Sequence, residues 1–148
     1  MGMVSMAEGG HPAEGASDAA FWSRFRAGWG LVRGTVRLTS GEPVEGCCVV
    51  YYAMGPPAGR IPDIGILTDA DGVYSYPLPA GTYTMAANGE VSRVSAAGGT
   101  VAVPVIGKVT GVTVSARQIV TADITVTERP DLIGKTADLA ELLEIRAQ

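Results

Sequence analysis

The stretch that most constrains this chain is Thr68–Met85, T-D-A-D-G-V-Y-S-Y-P-L-P-A-G-T-Y-T-M. It holds two turn signals, Asp69-Ala70-Asp71-Gly72 and Leu78-Pro79-Ala80-Gly81, each followed by a short run rich in Tyr, Val and Thr. Glycine supplies the positive φ of a tight hairpin, and aspartate bonds its own backbone there. Aromatic and β-branched residues suit a pleated, half-buried surface. The stretch therefore predicts consecutive antiparallel strands and an all-β chain.

The same signals recur on either side. Strands are expected near 30–39, 46–54, 63–68, 73–77 and 82–88, with more near 100–106, 111–116 and 119–127. Gly89 to Gly99 has small residues and no clear period, and Gly55-Pro56-Pro57-Ala58-Gly59 is a loop that cannot continue the preceding strand. Residues 1–16, rich in Gly, Ala, Pro and Glu, predict a disordered tail. Residues 17–29 predict an amphipathic aromatic helix, starting at a Ser17 or Asp18 cap, running to about Arg26 and closing near Gly28. Residues 30–127 are expected to form an antiparallel β-sandwich. Residues 128–148 then give a linker with a Pro130 breaker and an acidic helix near Thr136 to Arg146, with Thr136 as its cap.

Val32-Arg33-Gly34-Thr35-Val36 leads through Ser40-Gly41-Glu42-Pro43-Val44-Glu45-Gly46 into Cys47-Cys48-Val49-Val50-Tyr51-Tyr52. With the Asp-Gly-x-Tyr and Pro-Ala-Gly-x-Tyr elements downstream, this order resembles the carboxypeptidase regulatory-like domain over roughly Leu31 to Thr127. The resemblance implies a transthyretin-like (prealbumin-like) fold, an immunoglobulin-like antiparallel β-sandwich of about seven strands. It also implies a non-catalytic module, because such domains are appended to many unrelated proteins. Similar domains occur among the proteins of phage-tail-like contractile injection systems.

Bulk properties narrow the function. A chain of 148 residues is long enough for one domain with a sizeable core plus tails. A net charge of −4 argues against a generic nucleic-acid binder, which needs a basic field. No apolar run is long enough to cross a bilayer, and the first residues show no secretory signal. Cys47 and Cys48, the two cysteines, are adjacent on an expected strand and so point to opposite faces. A disulfide between them would need unusual geometry, so two reduced thiols in a cytoplasmic protein are expected.

Catalysis is tested by elimination. His11 is the single histidine and sits in Gly-Gly-His-Pro within the expected tail, where nothing orients it. Serine-type triads and two-histidine metal sites are therefore unavailable within one chain. Two enzymatic relatives of the transthyretin-like fold also fail. A hydroxyisourate hydrolase would need core histidines and a C-terminal Tyr-Arg-Gly-Ser, whereas this chain ends Glu144-Ile145-Arg146-Ala147-Gln148. An intradiol dioxygenase would need two histidines as iron ligands. The expectation is no enzyme and no cofactor. Asp69-x-Asp71-Gly72 invites a calcium reading, but an EF-hand places its Gly at position 6 of the loop, so a hairpin turn is the simpler account. Whether Asp69 and Asp71 also hold a cation stays open.

The terminal segments carry the candidate contact residues. Both tryptophans and both phenylalanines lie between Phe21 and Trp29. Phe21, Phe25 and Trp29 recur every four residues with Trp22 beside them, and Arg24 and Arg26 flank the stripe. At the other end Leu139, Leu142 and Leu143 share a face opposite Asp138, Glu141 and Glu144. Such stripes pack on their own domain, dock onto a protein partner or a second copy, or, for the aromatic one, lie on a membrane surface. The reading carried forward is a rigid scaffold whose terminal helices contact protein partners or self-associate through Phe21, Trp22, Phe25, Trp29, Leu139, Leu142 and Leu143. The alternative is a carbohydrate- or peptide-binding accessory domain, with Tyr51, Tyr52, Tyr74, Tyr76 and Tyr83 as stacking surfaces.

Overall fold

The computed structural model describes residues 19–54, 65–135 and 138–145. The expected tail 1–16, Ser17, Asp18, His11, the Gly55–Gly59 loop and Thr136 lie outside the described residues. A single helical turn, α1 (Ala19–Trp22), precedes β1 (Trp29–Leu38). Then come β2 (Cys48–Ala53), β3 (Ile66–Leu67), β4 (Val73–Pro79), β5 (Gly81–Val94), β6 (Thr100–Val114), β7 (Ile119–Thr121) and β8 (Ile124–Glu128). A 3-10 turn at Pro130–Leu132 and a last helical turn, α2 (Leu139–Leu142), complete the order.

The chain is mostly β, as the turn and strand signals predict. Its eight strands form one sheet in the order β3-β2-β5-β6-β8-β1-β4, with β7 also pairing β1. The sheet is mixed and curls until nearly closed. β1 pairs antiparallel with β4 but parallel with β7 and β8. This departs from the purely antiparallel expectation. Alternation along a strand shows which side chains turn inward; it does not show which neighbour the strand meets or in which direction.

Both turn motifs have the local geometry that their residues require. The Asp69 carbonyl accepts from the Gly72 amide at 2.9 Å, and Asp69 Oδ1 accepts from the amides of Asp71 and Val73, each at 2.9 Å. Gly72 sits at φ 77, and a Cβ there would fall 2.7 Å from the Val36 carbonyl oxygen. Yet the strands on either side do not pair with each other. β3 joins β2 while β4 joins β1 at the other end of the strand order. Likewise β4 and β5, separated by Ala80 alone, belong to different ladders. The two motifs are corners between opposite sides of the sheet.

The longest element is the hairpin of β5 and β6, paired from Gly81↔Val114 to Val94↔Thr100. It absorbs residues 89–94, where small residues hide the strand period, and merges the two strands expected over 100–116. The register slips between Tyr83 and Met85 opposite Thr110 and Gly111, so a bulge stands where a strand break was expected.

Inside the curl, Val32, Val36, Val49, Tyr74, Met85, Val105, Ile124 and Val126 are essentially inaccessible and belong to one apolar cluster. At about 25 cal/mol per Å² of apolar surface, each such side chain contributes roughly 1.5–3 kcal/mol when fully buried. Thr68 and Thr84 are buried polar residues among the described residues, and Thr68 uses its hydroxyl twice. Its hydroxyl donates to the Val44 carbonyl at 2.6 Å and accepts from the Cys47 amide at 2.9 Å.

Candidate functional site

The terminal segments do not extend as free helices. The N-terminal helix is one turn, and Trp29 is the first residue of β1, so Phe21, Phe25 and Trp29 do not share a helical face. The chain instead breaks after Trp22 through bonds from the Phe25 amide to the Trp22 carbonyl and from Trp29 to Arg26. Four-residue spacing was satisfied by a compact turn, because a 10-residue helix that ends at a glycine has little intrinsic stability. Trp22 is 2 % exposed, while Phe21, Phe25 and Trp29 are half-buried.

Within the turn, Phe21 meets Trp22 edge-on at 4.9 Å and Phe25 at 5.4 Å, and Trp22 lies 5.5 Å from Phe25. Such contacts add roughly 0.5–1.5 kcal/mol each beyond area burial. The Arg26 guanidinium lies 5.8 Å from the centre of the Trp29 ring, within cation–π reach. Trp22 and Leu31 are both buried yet stand outside the main apolar cluster. Leu31 alternates with the inward-facing Val32 and so belongs to the outer face of β1.

The C-terminal helix is shorter than expected and capped by Asp138, whose carboxylate accepts from the Ala140 amide at 3.3 Å. Lys108, on β6, donates from Nζ to the Leu143 carbonyl at 2.6 Å. Tyr52, on β2, has its hydroxyl pKa raised by burial and then by the Asp138 carboxylate. These contacts lay α2 across β2, β5 and β6, the face on which Ala86 and Ile106 are buried. Leu139, Leu142 and Leu143 are half-buried. Between this segment and the sheet lies an open groove of about 550 Å³, lined by Asn88, Glu90, Ile106, Lys135, Leu139 and Leu142 among others. Sequence reading missed the groove. Its strand wall comes from Asn88, Gly89 and Glu90 of β5 and Pro104, Val105 and Ile106 of β6, which the β5–β6 pairing brings together from separate parts of the chain.

The tyrosines are mostly turned inward. Tyr51 packs edge-on against Tyr76 at 5.5 Å and Tyr83 at 5.7 Å. Tyr74 and Tyr83 are buried, and their hydroxyls donate to the carbonyls of Ala122 and Pro79 at 2.6 and 2.7 Å. Burial pushes the Tyr76 hydroxyl up to about 12. Tyr52 alone alternates to the outer face. The rings that touch meet edge-on, and Tyr74 and Tyr83 are buried, an arrangement that does not suit a stacking platform.

The remaining candidates are quiet chemically. Cys47 is buried and its thiol is pushed up to about 12 by burial and by Cys48, while burial also raises Cys48. Both thiols are free, as the adjacent spacing predicts. Neither has the electropositive surroundings of a nucleophile. Among the described residues no three His, Cys, Asp or Glu side chains cluster to hold a metal, and no helix is long and apolar enough to cross a membrane.

No protein-family model matches the chain, and no curated protein matches it. Among solved structures it is similar to a "putative carbohydrate binding protein" from Pseudomonas aeruginosa, at 20% identity and TM-score 0.48, over 68% of this chain and 90% of that one. It is also similar to chlorocatechol 1,2-dioxygenase from Pseudomonas putida, at 13% identity and TM-score 0.37, over 68% of this chain and 61% of that one. A 9R-lipoxygenase from Cyanothece follows at 9% identity and TM-score 0.42, over 85% of this chain and 21% of that one. At TM-scores below 0.5 none of these likenesses bears on what the chain does.

Proposed function

We propose that the chain is a non-enzymatic interaction module: a rigid curled sheet that holds both terminal segments against its outer surface and presents them to protein partners. The observation that carries this reading is the aromatic turn. Trp22 is buried as an anchor, and Phe21 and Phe25 stay half-exposed beside it, with Arg26 stacked on Trp29. Aromatic residues and arginine held on a pre-ordered surface lose little entropy on binding and dominate protein interfaces. The C-terminal groove offers a second contact surface through Leu139 and Leu142.

The resemblance to carboxypeptidase regulatory-like domains supports reading the curled sheet as a transthyretin-like, immunoglobulin-like sandwich of a cytoplasmic accessory subunit. An assembly such as a phage-tail-like contractile injection system is one setting for it. The inward rings and occupied hydroxyls of Tyr74 and Tyr83 make the sugar- or peptide-stacking alternative the weaker reading.

Affinity capture by the full-length protein beside a Phe21→Ala/Phe25→Ala variant tests the module. Trp22 is left in place because its loss would damage packing. Loss of a captured protein by a variant that melts within a few degrees of the parent is the expected result. Equal capture by both would sink the reading for this end of the molecule.

A further inference from the structure

One side of the molecule is charged against the rest of the chain. The segments 19–38, 73–81 and 115–121, which build α1, β1, β4 and β7 with their turns, contain five arginines (Arg24, Arg26, Arg33, Arg37 and Arg117) and no Asp or Glu. The whole chain has net charge −4. The carboxylates nearest to 19–38 along the chain are Asp18, outside the described residues, and Glu42. Asp123 also approaches β1, where its Oδ1 accepts from the Thr35 amide at 2.9 Å. Among the described residues the ion pairs are Arg93–Glu128 and Arg129–Asp131, so none of the five arginines has a carboxylate partner there.

Three of these arginines gather at the aromatic turn. Arg24 and Arg26 are exposed within it, and Arg26 covers the Trp29 ring. Arg117 is held beside Trp29 by a 2.8 Å bond from its amide to the Trp29 carbonyl, in the left-handed region at φ 59. Arg33 shares the outer face of β1 with Trp29, four residues along the strand. Three half-buried rings, Phe21, Phe25 and Trp29, thus share this face with exposed arginines, on a chain that is acidic overall.

We propose that this face docks an acidic segment of a partner protein, with two or three Asp or Glu side chains flanking an apolar residue. The inference rests on the interaction-module reading and names the chemistry of its partner. Carboxylates pair bidentately with Arg24, Arg26 and Arg117, and the apolar residue covers Phe21 and Phe25. A long polyphosphate is disfavoured because the rest of the molecule would repel it. An anionic membrane is disfavoured because Phe21 packs edge-on against Trp22 and Phe25, Trp22 is buried and Trp29 is covered by Arg26, which leaves few ring faces to insert.

Both tryptophans of the chain lie at this face, so intrinsic fluorescence reports on it directly. The probe is a synthetic peptide of repeating Glu-Glu-Leu, with a Gln-Gln-Leu peptide as control. Expected is a saturable emission shift with the Glu peptide that weakens about tenfold between 50 and 300 mM salt. An Arg24→Gln/Arg26→Gln/Arg117→Gln variant with unchanged melting should bind at least about tenfold more weakly. Equal binding of the Gln peptide, or of the triple variant, overturns the proposal. So does tighter, arginine-dependent binding of phosphatidylserine vesicles or of a single-stranded oligonucleotide. If protein capture depends on Phe21 and Phe25 while the Glu peptide does not bind, the module reading stands and this inference falls. Should the Glu peptide bind but capture ignore Phe21 and Phe25, the arginine face stands without its apolar half.

Discussion

The Tyr74 hydroxyl donates a 2.6 Å hydrogen bond to the Ala122 carbonyl, tying β4 across β1 to the corner between β7 and β8. Gly34 on β1 lies beneath that bond. A Cβ there would fall 2.0 Å from the Ala122 oxygen and 3.0 Å from the Tyr74 ring. The parallel neighbour of β1 is therefore admitted by a missing side chain and held by a buried hydroxyl.

Tyr74→Phe keeps the ring and removes the donor, leaving a buried carbonyl without that bond. The expected cost is about 1–3 kcal/mol, read as a lower urea midpoint with an unchanged slope. Gly34→Ala meets backbone, which cannot swing aside as a side chain can. Its cost should reach about 3 kcal/mol or more. A Gly34→Ala protein as stable as the parent would show that β7 and β8 do not sit against β1 as described.

Thr68 links the strand-entry loop at Val44 and Cys47 to the β3–β4 corner through one hydroxyl. Thr68→Val is nearly isosteric but strands one buried acceptor and one buried donor. A loss of about 2 kcal/mol is expected, with Thr68→Ser recovering most of it. If valine and serine behave alike, packing and not the two hydrogen bonds holds this corner.

Alkaline pH should unfold the protein through its buried acids. Cys47 and Tyr76 both reach about 12 in the folded chain, against about 8.5 and about 10 when unfolded. Above the unfolded values the unfolded state loses these protons first, so stability is complete below about pH 8.5 and falls as pH rises toward 12. Urea titrations at pH 8, 9.5 and 11 should show a progressive decline, and Cys47→Ala should flatten its first part. At pH 8 in native protein a thiol reagent should leave Cys47 unmodified and label it only in denaturant. Rapid labelling of both thiols in the native state would contradict the burial.

Lys108 clamps the last helical turn through its bond to the Leu143 carbonyl, a favourable place for a cation at a helix C-terminus. Lys108→Ala should change global stability by less than about 1 kcal/mol, because the group is exposed. Amide exchange from Leu142 to Ile145 should nevertheless accelerate several-fold as the turn opens. Unchanged exchange there would mean that apolar contacts alone hold α2 on the sheet.

Much of the strand layout was legible in the sequence, for local reasons. Asp69 and Gly72 specify their turn through their own backbone, and β-branched and aromatic runs specify pleated segments. The terminal residues were legible as apolar and aromatic, but their helical length was not. A run of a few residues carries the same spacing whether it becomes a helix or one compact turn. Only tertiary structure decided that β3 and β4 part at the corner after Asp69, that β1 has parallel neighbours, and that Gly89–Val94 is strand. Those outcomes depend on which distant chain supplies the missing backbone partner. The groove beside Glu90 and the arginine face around Trp29 arise in the same way. Their residues come from segments far apart in the chain, and the sheet's curl gathers them.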